Sequence, residues 1–340
     1  MNLLKSAIKG LFIHINAAKF KRSINNGKLN KSLIIIMYHR VLPSQDARLA
    51  SEEPGMYVTP ETLEMHLNEY KKFAELIHIE QWQALAKEKQ LEDKLYCAIT
   101  FDDGWADNYE FALPLLKKYA VPATIFLTTD YIGSNSTFWP ERLSKLLNNF
   151  EDYSAEMSDF FTELNVKLNR KKLVSKNKDY FAELIAATKT LTENQIIAKL
   201  NRIEKVNEPD DEVQMLSWAQ SKALTEFNIR IGGHTRSHMR LNDKASTAQI
   251  TEEVIGCQAD IKDNLDYLAT QFCYPNGDCS NTAQEIVERA FKLAVTTQHG
   301  INTGDTSPYA LRRIGLHEDA ANSPKKLLSR LASALNSPLK

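Results

Sequence analysis

The sequence predicts an α/β fold built on a parallel sheet, either open or closed into a barrel. Three observations predict it. Short, continuous apolar runs rich in β-branched residues recur along the chain, as strands buried on both faces of a parallel sheet require. Segments with helical spacing alternate with those runs over short connections. One stretch, from about 141 to 215, breaks the alternation. It is rich in Leu, Lys, Asn and Glu at helical spacing, holds no strand-like run, and reads as a helical insertion covering one end of the sheet.

Taken in order, Leu33–Tyr38 (LIIIMY) is the first buried strand, followed by helical patterns around Thr62–Phe73 and Gln81–Glu88. Leu95–Phe101 is the next strand, ended by Asp-Asp-Gly, and a helix runs on to about Tyr119. Val121-Pro122 punctuates the chain before a third strand at Ala123–Thr128. After the insertion, Ile229–Ile231 reads as a strand, Thr247–Leu268 as a long helix and Gln271–Tyr274 as a strand. Asn281–Ala290 is then a helix, with short strands near Leu293–Thr296 and Leu311–Ile314. Residues 1–30 stand apart as an N-terminal segment, and 31–340 carry the sheet and its insertion.

Composition narrows the function classes. The 340 residues are 43% hydrophobic and 25% charged, which is ordinary for a folded domain and excludes disordered, collagen-like and coiled-coil chains. With 42 basic against 43 acidic residues, nothing points to nucleic acid as a partner. No apolar run is long enough for a membrane-spanning helix. Cys97, Cys257, Cys273 and Cys279 form neither a disulfide framework nor a CxxC pair, and a reducing, cytoplasmic setting fits them.

The N-terminus departs from this average. No acidic residue occurs before Asp46, whereas Lys5, Lys9, Lys19, Lys21, Arg22, Lys28, Lys31 and Arg40 are basic. Leu3, Leu4, Ala7, Ile8, Leu11 and Phe12 have helical spacing, with Lys5 and Lys9 off that face. His14 and Asn16 interrupt the short apolar region and speak against a signal peptide. The expectation is a basic amphipathic helix over residues 1–28, either packed on its own domain or lying peripherally on the inner face of an anionic membrane.

Two motifs carry chemistry. Asp102 and Asp103 follow a buried strand in Thr100-Phe101-Asp102-Asp103-Gly104, at the strand end where functional groups collect in parallel α/β folds. Consecutive carboxylates there point in different directions, so that one can bind a metal while its neighbour faces substrate or water. The second motif, His234-Thr235-Arg236-Ser237-His238, also follows a strand. Histidines four apart share one face of a helical turn, which suits two ligands to one metal. Two neutral imidazoles and a carboxylate leave open coordination positions, the arrangement of catalytic rather than structural zinc.

TFDDG, then HTRSH, then Phe272-Cys273-Tyr274-Pro275-Asn276-Gly277 resembles the polysaccharide deacetylase family, the carbohydrate esterase group with the NodB homology domain. Met37-Tyr38-His39-Arg40-Val41 resembles the Tyr-His segment of its bacterial extracellular-polysaccharide branch. The resemblance spans roughly Leu33–Gly133 and Leu216–Glu318. It implies a distorted (β/α) barrel and metal-dependent removal of acetyl groups from sugars. Carried over by position, Asp102 is the general base, and Asp103, His234 and His238 hold a divalent metal, zinc before others. The proline loop supplies an oxyanion donor at Asn276, and His317, in Ile314-Gly315-Leu316-His317, is the acid that protonates the leaving amine. His39, ending the first strand, is either a substrate-binding member of the site or a satisfied buried histidine.

The sequence departs from the family at several points. Cys273 stands where many members carry an arginine that orients the catalytic aspartate, Asn276 replaces an aromatic residue, and no tryptophan motif is visible near Ala294–Gly300. Arg313 is a candidate replacement for the missing arginine. Trp105, Trp139 and Trp218 either stack on sugar rings or pack the core, and Trp139, where the insertion begins, is the best placed as a sugar platform. The expected activity is deacetylation of an N-acetyl, or else O-acetyl, group of an amino sugar in a cell-surface polysaccharide or its lipid-linked precursor. The alternatives are a catalytically inactive glycan-binding scaffold and a hydrolase of non-peptide C–N bonds in cyclic amides.

Overall fold

A computed structural model describes residues 2–50, 52–152, 154–204 and 214–336, without the side chains of 2–7, 9, 154 and 336. Contacts divide the chain into two compact units, one of residues 1–41, 57–134 and 215–340, the other of 42–56 and 135–214.

The first unit is a parallel barrel. Its strands are β1 (Leu33–Tyr38), β2 (Tyr96–Phe101), β3 (Ala123–Leu127), β4 (Ile229–Gly233), β5 (Gln271–Cys273), β6 (Leu293–His299) and β7 (Leu311–Gly315). Each pairs with the next in parallel, and β7 returns to β1 with Ile36 opposite Ile314, which closes the ring. A two-residue strand at Glu75–Leu76 adds to β2 outside the ring.

Strand parity sorts the side chains. Leu33, Ile35, Tyr96, Ala98, Phe126, Cys273, Leu293, Val295 and Leu311 form one buried cluster, the filling of the barrel. The alternate residues, among them Ile34, Ile36, Cys97, Ile99, Ile125, Ile231, Phe272 and Ile314, join the layer packed under the helices. Both faces of each strand are therefore apolar, the physical reason for runs such as LIIIMY. Space inside is tight. A Cβ on Gly232 would lie 2.4 Å from the Phe126 ring, so β4 carries glycine where Phe126 crosses the interior.

The helices around the barrel include α1 (Asn2–Asn25), α2 (Pro60–Tyr70), α3 (Ile79–Lys87), α4 (Leu113–Tyr119) and, after the second unit, α10 (Trp218–Thr225) to α14 (Pro324–Ser333). Their starts carry ordinary caps: Thr59 accepts from Thr62 before α2, and Ser246 with Gln249 forms a capping box on α11 (Thr247–Leu265). That helix ends at Leu265, three residues short of the sequence expectation, because Asp266 turns left-handed with φ 51°. Ahead of α4 the chain makes a wide π turn over Asn108–Ala112, a feature the helical pattern did not signal.

The second unit holds α5 (Trp139–Asn148), α6 (Ser154–Glu163), α7 (Arg170–Val174), α8 (Lys178–Thr188) and α9 (Glu193–Ile203) around its own core, including Leu143, Leu147, Phe161, Leu184 and Leu200. Trp139 is buried in that core, 8% exposed, and belongs to its packing. The ring is not offered as a platform, which corrects the sugar-stacking reading. An indole of that size at a helix start is a natural anchor for a small helical core.

Candidate active site

The functional side chains gather at the carboxyl ends of the strands. Asp102 and Asp103 follow β2, His234 follows β4, Cys273 ends β5, Arg313 lies on β7 and His39 follows β1. Gly104, with φ 90°, turns the chain away behind the aspartates, and a Cβ there would sit 2.8 Å from Ile132 Cδ1.

Asp103, His234 and His238 each bring one ligand atom within 4.8 Å of the others. His234 Nδ1 lies 2.7 Å from the Cys273 carbonyl, which only accepts, so Nδ1 carries a proton and Nε2 is the nitrogen left to ligate. Despite burial, the anionic surroundings of Asp103 and Asp102 raise the imidazole pKa well above its ordinary value, so a metal would displace a proton from Nε2. That Nε2 is 3.4 Å from Asp103 Oδ1, and His238 Nε2 is 3.6 Å from the same oxygen. Asp103 Oδ1 is buried and accepts no hydrogen bond. A buried anionic oxygen with two imidazole nitrogens turned toward it and no well-formed hydrogen bond is a position that a divalent cation would complete. Ligand atoms around a tetrahedral zinc stand about 3.3 Å apart, close to both separations. The three residues therefore fit a divalent metal. Burial lowers the His238 pKa to about 4 despite the pull of Asp103, which leaves the imidazole neutral and able to ligate at neutral pH.

The histidine motif reaches this geometry without a helix. Thr235 and His238 have φ of 64° and 63°, and the segment is an irregular loop. Glu253 of α11 holds it: its Oε2 accepts from the backbone N–H groups of Arg236 and Ser237, both at 2.9 Å, and its Oε1 accepts from the Ser237 hydroxyl at 2.6 Å. The helical turn inferred from four-residue spacing is corrected accordingly. The two rings still meet, with centroids 5.0 Å apart. Asp103, at φ 78°, is likewise left-handed, so two of the three ligand residues sit in backbone conformations that L-residues rarely adopt.

Asp102 is paired differently. Arg313 Nη1 donates to its Oδ1 and Nη2 to its Oδ2, each at 2.7 Å, a bidentate pair sealed from solvent. Burial alone would raise the Asp102 pKa, but the guanidinium outweighs it and holds the carboxyl below its ordinary value. Arg313 Nη2 also donates to Cys273 Sγ at 3.0 Å, and Cys273 Sγ is 3.6 Å from Asp102 Oδ2. A small thiol at position 273 leaves room for a guanidinium from β7. Asp102, His234 and Cys273 also cluster within 4.8 Å, but the adjoining Arg313 cation and the engaged Nδ1 of His234 make that set a poor cation site.

A further layer fixes these groups. Trp105 Nε1 donates to Asp103 Oδ2 at 3.0 Å, and the Arg40 guanidinium lies over the Trp105 ring, 4.0 Å from its centroid. Asp107 accepts from Arg40 Nε at 2.9 Å and from the Val41 N–H at 2.7 Å, and Asn108 Nδ2 donates to the His39 carbonyl at 2.9 Å. The turn after β2 thus grips the chain after β1. Trp105 is buried and orients a ligand, so it neither packs passively nor stacks on sugar. Sequence reasoning passed over Trp105, Asp107 and Glu253 in this supporting role. An acidic residue on the helix following HTRSH and the Asp-Asn pair after TFDDG were the available signals.

The polysaccharide deacetylase profile matches residues 89–291, which contain the aspartate pair, both histidines and Cys273. The chain belongs to the polysaccharide deacetylase family. A 114-residue stretch, 34% of the chain, is 32% identical to YxkH of Bacillus subtilis, whose name places it in the same family. A 59-residue stretch, 17% of the chain, is 46% identical to the poly-β-1,6-N-acetyl-D-glucosamine N-deacetylase of Staphylococcus epidermidis. These alignments span 38% and 20% of the two relatives' own lengths. In fold, the chain is similar to the deacetylase PplD of Streptococcus pyogenes, with a TM-score of 0.58 at 19% identity over 88% of this chain and 98% of that one. IcaB of Ammonifex degensii superposes with a TM-score of 0.56 at 19% identity, over 89% and 97%.

Within this family frame, the remaining expected residues fall at the same barrel end. Asn276 is exposed at the tip of the loop after β5, left-handed at φ 55°, and its carbonyl accepts from the Thr297 hydroxyl at 3.1 Å. His39 Nε2 lies 3.9 Å from Asp102 Oδ2. His317 lies two residues past β7 and caps the short helix α13 (Glu318–Ala321). Burial lowers its pKa, and the charges around it are Asp319, Arg330 and Glu318.

Proposed function

We propose that the protein is a metal-dependent deacetylase that hydrolyses the N-acetyl group of an amino sugar in a cell-surface polysaccharide or its lipid-linked precursor. One observation carries this reading: an ionised, Arg313-clamped carboxylate stands beside a carboxylate and two histidines whose donor atoms converge. Asp103, His234 and His238 would hold the metal, which when bound supplies Lewis acidity toward the acetyl carbonyl and acidifies water.

The chain's own groups do the rest. Asp102, kept ionised by Arg313, accepts the proton of the water that attacks the carbonyl carbon. The backbone turn at Asn276 offers an N–H donor for the oxygen on which negative charge develops. The C–N bond then breaks, acetate departs and the sugar nitrogen takes up a proton. We assign that proton to His39, whose Nε2 stands 3.9 Å from Asp102. His317 faces a separate set of charges. The N-acetylglucosamine polymer named for the Staphylococcus epidermidis relative supports an amino-sugar substrate of the same class. The inactive-scaffold alternative rests on Cys273 replacing an arginine and on the altered loop with Asn276; Arg313 answers the first by meeting Asp102 from another strand.

Incubation of the zinc-loaded protein with acetylated β-1,6-glucosamine oligomers tests the reading by counting products. N-deacetylation yields one new primary amine for each acetate, whereas acetate without amine indicates an O-acetyl esterase. His39→Gln should slow release roughly 10²–10⁴-fold, the usual share of a general acid, while His317→Gln stays within about tenfold of the parent. The reverse ranking returns the role to His317.

A further inference from the structure

Helix α1 is apolar on two sides. Ala17 and Phe20 are buried in the main core with Leu327, Leu328 and Leu331 of α14, and Phe20 meets Phe73 edge-on at 5.5 Å. A different side carries Ile8, Leu11, Phe12 and Ile15, which are 46%, 61%, 61% and 54% exposed. At about 100° per residue these four fall within an arc of about 100°, a single stripe along the helix. They are half of the eight large exposed hydrophobics among the described residues, and the other four, Val174, Phe227, Ile255 and Leu268, are scattered on separate segments. The stripe contains Ile8, Leu11 and Phe12 of the one expected in the sequence and runs on to Ile15, while the side chains of Leu3, Leu4 and Ala7, and of Lys5 and Lys9 off that face, lie outside those described.

The charge pattern selects the occupant. Arg22 extends the stripe two turns beyond Ile15, Lys21 and Lys28 are also exposed, and no carboxylate occurs before Asp46. A second copy of this surface would oppose cation to cation. An anionic bilayer matches both parts, with acyl boundary for the apolar stripe and phosphates for the cations. Among the described residues no helix is long and apolar enough to cross a membrane, so the contact is in-plane. We propose that α1 docks the protein on an anionic lipid surface by inserting Ile8, Leu11, Phe12 and Ile15, with Arg22, in line with the stripe, on lipid phosphate. This proposal does not depend on the chemistry of the barrel.

The full-length protein is spun down with vesicles of phosphatidylcholine alone or mixed with phosphatidylglycerol. Wild type should pellet with the anionic vesicles, and binding should weaken at roughly 0.5 M salt as the headgroup attraction is screened. Leu11→Ser/Phe12→Ser, at exposed positions, should bind about tenfold or more weakly through lost apolar burial, and Arg22→Gln should bind more weakly than wild type in low salt. Wild type remaining in the supernatant, or pelleting of the serine variant equal to wild type, overturns the proposal. A failure to pellet combined with wild-type dimerisation that the serine variant loses assigns the stripe to a second copy instead.

Discussion

Asp102 and Arg313 are 211 positions apart and share two hydrogen bonds of 2.7 Å inside the barrel. Removing the guanidinium would leave a buried carboxylate without its counter-charge, a change that typically costs about 3–5 kcal/mol. Arg313→Gln should therefore lower unfolding stability by about that amount, read from urea midpoints, and reduce acetate release through a misoriented Asp102. An unchanged midpoint would show that the buried Asp102 carboxylate does not depend on this counter-charge. The positions of the aspartates, of His234 and of His39 after strands were legible from the sequence, and whether His39 serves the site was not. Arg313 was legible only as a candidate, since its contact depends on β7 closing against β1. Trp105 was ambiguous for another reason: a tryptophan serves core, sugar and hydrogen-bond roles equally well, and only the 3.0 Å bond to Asp103 separates them.

At the scale of elements, β1 and α2 are joined by a buried polar cluster. His66 Nε2 lies 2.8 Å from the Ala321 carbonyl, so its Nδ1 accepts from the Tyr38 hydroxyl at 2.8 Å, and Tyr70 stands 2.8 Å from Tyr38. Burial lowers the His66 pKa from 6.5 to about 4, against the pull of the Ala321 carbonyl. The unfolded chain then binds a proton that the folded one refuses. This contribution to stability is complete above pH 6.5 and declines as the pH falls toward 4, by about 3 kcal/mol in all. The unfolding free energy of wild type should carry this extra slope between about pH 6.5 and 4 relative to His66→Gln, and parallel curves would refute it. The strands were legible as elements because burial on both faces writes an unbroken apolar run. The loop carrying His234 and His238 was misread as helical because spacing alone cannot reveal that Glu253 captures its backbone N–H groups.

For the whole molecule, ring closure brings together residues from five strand ends: His39 after β1, the aspartates after β2, His234 after β4, Cys273 on β5 and Arg313 on β7. The alternation of strands and helices predicted the parallel sheet but left open sheet and barrel equally available. The β7–β1 pairing decides between them. It also explains how one arginine on β7 serves an aspartate on β2, because β1 lies between those strands in the ring. The central claim is that this arrangement hydrolyses an acetyl group with a metal held by Asp103, His234 and His238 and a proton accepted by Asp102. The most direct test is acetate release from an acetylated amino-sugar glycan by chelator-stripped protein titrated back with zinc, for wild type and Asp102→Asn together. Release should rise with metal occupancy in the wild type and fall by roughly 10²–10⁴-fold in Asp102→Asn at the same occupancy. Release that persists without metal, or that is equal in the two proteins, would contradict the account.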